Sequence, residues 1–214
     1  MGFKSKRFFV FLSSLVNLTD MASYKLIPYG ISDFAQVRRE DKYYVDKTMY
    51  LPKMEAAGNF LFLIRPRRFG KSLFLSMMRC YYDILEKDNF HNLFSGLWIE
   101  NHPTTLMGTF QVLYMDFSQV GGDMNNLFDR FNSRIGAVLD DFAYRYERFY
   151  YDGFAADVEK KSDFRSKLDH ITLLAKRKGI RLYLIVDEYD NFTNTVLNVA
   201  GEEVYHAMTH AEGF

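Results

Sequence analysis

A glycine, a lysine and a serine in succession, Gly70, Lys71 and Ser72, are the residues of this chain best suited to chemistry. They stand between an apolar run, residues 60–64, and a second apolar stretch, residues 73–85. A strand, a loop and a helix in this order are the context that a P-loop requires, in which the helix N-terminus presents unpaired N–H groups to a phosphate. In such a loop Gly70 allows close approach of the backbone, Lys71 reaches the β- and γ-phosphates, and the Ser72 hydroxyl ligates Mg²⁺. We therefore predict a phosphate site here, with residues 60–64 forming a buried parallel strand.

The loop before Gly70 departs from the usual P-loop pattern. A glycine is expected five residues earlier, but Arg65 stands at that position. Pro66 and the flanking arginines make the loop stiff and cationic. We interpret those arginines as groups that brace the loop or the nucleotide. The alternatives are that they contact nucleic-acid phosphates or that they form a solvated basic turn. The nucleotide-binding residues predicted on this basis are Arg67, Arg68, Phe69, Gly70, Lys71, Ser72 and Leu73.

Another apolar run, residues 182–186, ends in two adjacent carboxylates, Asp187 and Glu188. Side chains at the carboxyl ends of parallel strands face the ligand crevice of a doubly wound sheet. We predict that Asp187 holds Mg²⁺ together with Ser72, because hard divalent cations prefer oxygen ligands. Glu188 and Lys71 are the predicted catalytic residues, with Glu188 taking a proton from the attacking water. The alternative is a core strand that happens to end at a polar loop. Taken together, the two motifs predict ATP and Mg²⁺ as the cofactors.

The composition excludes some classes of partner and compartment. The chain has 214 residues, and its 27 Lys and Arg residues balance its 27 Asp and Glu residues. No global field therefore favours nucleic acid or an anionic membrane. The single cysteine, Cys80, excludes an internal disulfide and suits a reducing cytosol, so we predict a cytoplasmic protein with a buried structural thiol.

The N-terminal region has a separate character. Lys4, Lys6 and Arg7 precede an apolar run, residues 8–16, in the manner of a signal peptide. The run is shorter than the ~18 residues that a membrane-spanning helix needs, and no small-x-small cleavage site follows it. We interpret residues 1–24 as a mobile or mis-assigned extension, with Met21 as a second candidate for the start, and we predict no membrane partner.

Hydrophobic periodicity and end signals divide the rest of the chain into strands and helices. The predicted strands cover residues 60–64, 110–116 and 182–187. The predicted helices cover residues 33–39, 49–57, 73–85, 125–146, 163–178 and 202–212. Strands separated by helices indicate an α/β fold, with a mostly parallel sheet in a three-layer α/β/α arrangement.

Other polar residues are weaker candidates for the site. Asp116 ends a strand but lacks a following acid, so we place it at the edge of the crevice. Asp46 and Lys47 either form a lip on the adenine side or belong to an ion-paired turn. His206 and His210 have the spacing of a zinc pair, but no third ligand is evident.

Four segments together resemble the bacterial AAA-ATPase-like family, and the resemblance covers about residues 25–214. In that family the loop similarly reads R-P-R-R-F-G-K in place of the first glycine. The resemblance implies a P-loop ATPase core of the additional-strand type, in which Lys71 and Ser72 match the phosphate and Mg²⁺ positions. Asp187 and Glu188 match the Walker B pair. The segments that carry the resemblance are YVDKT (44–48), RPRRFGKS (65–72), VLYMDFS (112–118) and IVDEYD (185–190).

Family members usually continue with a strand that carries a polar sensor residue, and often with a domain resembling PD-(D/E)xK nucleases. The resemblance therefore implies that residues 25–214 form a nucleotide-binding domain that is incomplete at its C-terminus. Nucleic acid becomes a candidate partner through such a downstream domain, and a homo-oligomer is a further candidate assembly. The predicted function is Mg-ATP binding with hydrolysis. The alternatives are a nucleotide-dependent binding or regulatory module with little or no turnover, and a basic-loop nucleic-acid binder.

Overall fold

The computed structural model describes residues 24–64, 66, 68–118 and 127–189. The strands are β1 (Gln111–Asp116) and β2 (Leu182–Asp187). The α-helices are α1 (Phe34–Arg39), α2 (Leu51–Ala57), α3 (Lys71–Tyr82), α4 (Phe90–Phe94), α5 (Leu127–Tyr146), α6 (Phe154–Glu159) and α7 (Phe164–Arg177). Short 3₁₀ helices cover Thr48–Tyr50, Ile84–Asn89, Trp98–Asn101 and Glu147–Phe149. Some predictions lie outside the described residues. They concern residues 1–23, Arg65, Arg67 and residues 190–214, and they include the helix 202–212 and the pair His206 and His210.

The two strands form a parallel pair. Gln111 lies opposite Leu182, and Asp116 lies opposite Asp187. A parallel pair requires a long crossover, and α5, α6 and α7 lie between the two strands in the chain. The predicted α/β class with a parallel sheet is confirmed in this form.

The predicted strand at residues 60–64 is wrong for the described structure. The segment has no strand assignment, and its side chains are largely exposed, with Phe60 at 95%, Phe62 at 83% and Ile64 at 83%. The described sheet contains β1 and β2 only, and this segment pairs with neither of them. Leu63 alone packs at the margin of the core. An apolar run indicates that a segment can be buried, but it does not supply the partner that buries it.

Helix α3 connects the loop to the core. It begins after Gly70, which has a φ of 75° in the left-handed region, and it ends at Asp83 in extended conformation. Its C-terminal half is apolar and aromatic, and it contacts both strands as well as α1 and α4. Tyr81 and Tyr82 are almost fully buried among other aromatic rings. This packing fixes the helix, and hence the position of its N-terminus.

A second cluster of apolar side chains packs α5, α6 and α7 against the opposite face of β1. Helix α7 has the ends that were predicted for residues 163–178. The Asp163 carboxylate accepts a hydrogen bond from Ser166 N at 2.9 Å, and Gly179 terminates the helix with a φ of 69°. Lys167, which is buried, pairs with Asp140 at 2.6 Å between α7 and α5. These contacts secure the crossover that leads into β2.

Cys80 lies in α3 and is 4% exposed. Burial raises the pKa of its thiol to about 12, so the neutral form predominates at physiological pH. The predicted buried thiol is confirmed. Among the helices that the structure describes, none combines the length and the apolar character that crossing a bilayer requires.

Candidate functional site

A cleft of about 380 Å³ lies between the first turns of α3 and the carboxyl ends of the two strands. The residues that α3 contributes are four and three positions apart, so they share one face of the helix. The strands contribute residues from their last two or three positions. The lining residues used below are Ser72, Ser76 and Arg79 from α3, Tyr114 and Asp116 from β1, Asp187 from β2, and Glu188.

Lys71, the first residue of α3, contacts two carboxylates that line this cleft. Its Nζ lies 3.5 Å from Asp187 Oδ1 and 3.5 Å from Glu188 Oε1. The ammonium also lies 5.8 Å from the ring centre of Tyr189, which adds a cation–π contact. Residues that are more than 100 positions apart in the chain, Lys71 and the two acids, are therefore brought together.

Asp187 is held by groups on two sides. Its side chain is 4% exposed. The Tyr114 hydroxyl donates to Oδ2 at 3.0 Å, and the backbone N–H of Glu188 donates to Oδ1 at 2.9 Å. Burial, and then the charge of Asp187, raises the pKa of Tyr114, so the phenol stays protonated and donates. The carboxylate therefore has a defined orientation toward the cleft.

Glu188 has an unusual backbone conformation. Its φ is 54°, in the left-handed region that non-glycine residues seldom occupy. This conformation costs about 1–2 kcal/mol for an L-residue. Such costs are concentrated at functional sites, where the surrounding structure holds the backbone in place. The conformation leaves the Glu188 side chain 38% exposed at the cleft, beside the largely buried Asp187.

The loop residues predicted to bind nucleotide have different surroundings. Gly70 and Arg68 both have positive φ, 75° and 68°, and no side chain caps the N-terminus of α3 among the described residues. Ser72 lines the cleft, whereas the Phe69 side chain is 62% exposed. Leu73 packs against the core cluster instead. Arg67 lies outside the described residues.

Oxygen donors suited to a divalent cation are present in the cleft. Ser72, Asp116 and Asp187 all line it, and hydroxyl and carboxylate oxygens are the ligands that Mg²⁺ prefers. Among the described residues no group of three or more His, Cys, Asp or Glu side chains is arranged to hold a metal. Mg²⁺ commonly takes only one or two protein ligands and completes its shell with substrate phosphates and water. These residues thus fit an ion that arrives with a nucleotide.

Sequence reasoning did not identify Tyr114 and Arg79 as site residues. Arg79 Nη2 lies 3.6 Å from Asp33 Oδ2, and the Arg79 guanidinium lies 5.8 Å from the ring centre of Tyr114. Two periodicities would have indicated them. Tyr114 is two positions before Asp116 on a strand, and Arg79 is seven positions after Ser72 on a helix.

The segment that contains Asp46 and Lys47 is a hydrogen-bonded turn. Asp46 Oδ1 accepts from Thr48 N at 2.8 Å and from Thr48 Oγ1 at 2.7 Å, and its Oδ2 accepts from Trp98 N at 2.7 Å. The segment is a turn, but among the described residues hydrogen bonds, and not an ion pair, hold Asp46. The adenine-side lip stays a prediction.

Comparison with known proteins places the chain in a family. Residues 28–213 match the AAA-ATPase-like family, described as Predicted AAA-ATPase. A protein of Azotobacter chroococcum mcd 1, described as an uncharacterized protein in the vnfD 5′ region, is 42% identical over 89 residues. That match spans 38% of this chain and 16% of the Azotobacter protein. No solved structure gives a match. Because the family match covers most of its length, the chain belongs to the AAA-ATPase-like family.

Proposed function

We propose that the chain binds Mg-ATP in the cleft between α3 and the ends of the two strands, and that it hydrolyses ATP there. Family membership supports nucleotide binding in general. The single observation that carries the assignment to this cleft is the meeting of Lys71 with Asp187 and Glu188, at 3.5 Å each, at the N-terminus of α3.

Each residue has a proposed task. Lys71 leaves the two carboxylates and pairs with the β- and γ-phosphates of ATP. The first turn of α3, after Gly70, offers backbone N–H groups to the same phosphates. Arg67, Arg68 and Phe69 are proposed to flank the nucleotide. Leu73 packs in the core, and it supports the site through α3.

Ser72 and Asp187 are the proposed holders of Mg²⁺, which would neutralise phosphate charge when bound with the nucleotide. Tyr114 orients Asp187 for this task, since its hydroxyl donates to Oδ2. In hydrolysis, Glu188 accepts a proton from the water whose oxygen attacks the γ-phosphorus. The bond from that phosphorus to the bridging oxygen breaks, and ADP leaves with the electron pair.

Several wider features rest on the family resemblance and are also proposed. They are a nucleotide-binding domain over residues 25–214, with residues 1–24 as an extension, and a three-layer sheet of the additional-strand type. Action on nucleic acid through a further domain and self-association are proposed on the same basis. A cytoplasmic location is proposed because the single cysteine, Cys80, suits a reducing compartment.

Titration of the purified chain with ATP and Mg²⁺ tests the proposal. We expect saturable binding to the unmodified chain and a large loss of affinity in Lys71→Ala, because a phosphate would lose its charged partner. Lys53→Ala removes the same charge from the exposed face of α2 and is the matched control. Absence of ATP binding, or equal binding by Lys71→Ala, would contradict the proposal.

The Glu188 contact supports a second candidate function, a nucleotide-held switch with little turnover. The Glu188 carboxylate forms an ion pair with Lys71. A carboxylate that stays in this ion pair is a weaker acceptor for a proton from water. Release of phosphate in a single turnover distinguishes the two functions. Release that is abolished in Glu188→Gln supports hydrolysis with Glu188 as the base. ATP binding without measurable release supports the switch.

A further inference from the structure

A second lysine stands beside the loop that precedes α3. Lys47 Nζ lies 3.6 Å from the position that a Cβ on Gly70 would occupy. Lys47 comes from the 3₁₀ turn before α2, far from the loop in sequence. Its ammonium therefore lies against the backbone that leads into the first turn of α3, where the phosphates of a nucleotide are proposed to bind.

The backbone at Lys47 is held by the residues before and after it. Asp46 is tied by three hydrogen bonds to Thr48 and to the backbone of Trp98. Thr48 is fully buried, and its Oγ1 accepts a further hydrogen bond from Ile99 N at 3.1 Å. The backbone at Lys47 thus has little freedom to carry the ammonium away from Gly70.

The charge on Lys47 is also open to an anion. Its neighbour Asp46 directs both carboxylate oxygens to other donors, and within the described residues no carboxylate lies within ion-pairing distance of the Lys47 ammonium. Lys71 differs, because Asp187 and Glu188 share its charge. A lysine without a carboxylate partner, half-buried against a helix N-terminus, creates a local positive potential.

We propose that Lys47 is a second phosphate-binding cation of this site, contacting the polyphosphate chain where it passes Gly70. This inference rests on the proposed function, since it assigns an additional ligand-binding residue to the same cleft. It places Lys47 on the phosphate side of the nucleotide instead of the adenine side. It follows that Lys47 distinguishes ATP from nucleotides with fewer phosphates.

Affinities for ATP and AMP, measured with Mg²⁺ on the same preparation of each variant, test this role. In Lys47→Gln we expect ATP affinity to fall about tenfold, the effect of losing one hydrogen bond to a charged group, while AMP affinity changes little. Lys47→Arg keeps the charge and should retain most of the preference for ATP. Lys53→Gln, with the same change on α2, should leave both affinities unaltered.

The ratio of the two affinities within one variant does not depend on how much of that sample is folded. An unchanged ATP-to-AMP ratio in Lys47→Gln, whether or not both affinities fall by the same factor, would overturn this inference. If the unmodified chain binds ATP through Lys71 but the ratio is unaffected by Lys47→Gln, only this inference fails. If the unmodified chain binds no ATP, the proposed function fails and this inference fails with it.

Discussion

Two apolar segments of this chain, residues 60–64 and residues 182–186, have similar sequences but very different structural surroundings. Each is a run of five apolar residues followed by charged ones. The second is a strand paired along its length with β1, and Ile185 is 3% exposed. The first is unpaired within the described residues, and Phe62 is 83% exposed. The two sides of the cleft are therefore held in place by different means.

The carboxylate side depends on strand pairing. Asp187 is the last residue of β2, opposite Asp116, and Tyr114 of β1 donates to it. The phosphate side depends on a helix instead of a strand. Gly70, Lys71 and Ser72 are positioned because the C-terminal half of α3 is buried among aromatic rings. Asp46 adds a hydrogen-bonded turn beside this helix end.

The largest expected effect is on the paired segment. Ile185→Ala should lower the free energy of unfolding by about 3 kcal/mol, because it leaves a cavity between β2 and the core. Chemical denaturation measures this change. Leu184→Ala on the same strand is the control, since Leu184 is 57% exposed and its loss should cost much less. If the two variants lost similar amounts of unfolding free energy, pairing and burial of β2 would not stabilise the fold as proposed.

The next effect concerns the turn on the phosphate side. Asp46→Ala should lower the free energy of unfolding by about 2 kcal/mol, because the Thr48 and Trp98 donors lose a charged acceptor. Thermal denaturation compared with Asp88→Ala, which removes an exposed carboxylate after α3, isolates the contribution of the turn. An Asp46→Ala variant as stable as the control would mean that these hydrogen bonds do not anchor the phosphate side.

A smaller effect is expected from the hydroxyl that orients Asp187. Tyr114→Phe should reduce the Mg²⁺-dependent increase in ATP affinity about tenfold, since the carboxylate loses one hydrogen bond to a charged group. ATP affinity without Mg²⁺ should stay the same. Tyr144→Phe, which removes an exposed hydroxyl from α5, serves as the control. Loss of ATP affinity regardless of Mg²⁺ would assign Tyr114 a structural role only.

The smallest effect is on the exposed segment. Phe62→Ala should change the free energy of unfolding by less than about 0.5 kcal/mol, as is usual for exposed positions. Chemical denaturation alongside Ile185→Ala tests the comparison of the two segments directly. A cost near that of Ile185→Ala would show that residues 60–64 are buried in the protein as it exists in solution.

Features set by neighbouring residues were predictable from the sequence. The ends of α7 follow from Asp163 and Gly179, which act on the backbone within a few positions. The long helix α5 follows from the periodicity of its apolar residues, and the strand that ends at Asp187 was predicted from an apolar run that ends in two carboxylates. The exposure of residues 60–64 could not be predicted, because an apolar pattern does not specify whether a pairing partner is present to bury the segment.

The contacts within the candidate site were less accessible to sequence reasoning. Tyr114 and Asp187 are 73 residues apart, and only the register of β1 against β2 brings the hydroxyl to the carboxylate. The position of Lys47 beside Gly70 likewise depends on the turn that Asp46 forms with Thr48 and Trp98. The motif residues Lys71, Asp187 and Glu188 could be named from the sequence, whereas the groups that position them required the structure.

The most direct test of the central claim is the ATP affinity of the unmodified chain and of Asp187→Asn, each measured by calorimetry with and without Mg²⁺. We expect Mg²⁺ to strengthen ATP binding to the unmodified chain, and we expect Asp187→Asn to lose this enhancement while it retains Mg²⁺-independent binding through Lys71. Enhancement by Mg²⁺ that persists in Asp187→Asn, or no ATP binding by the unmodified chain, would contradict the central claim.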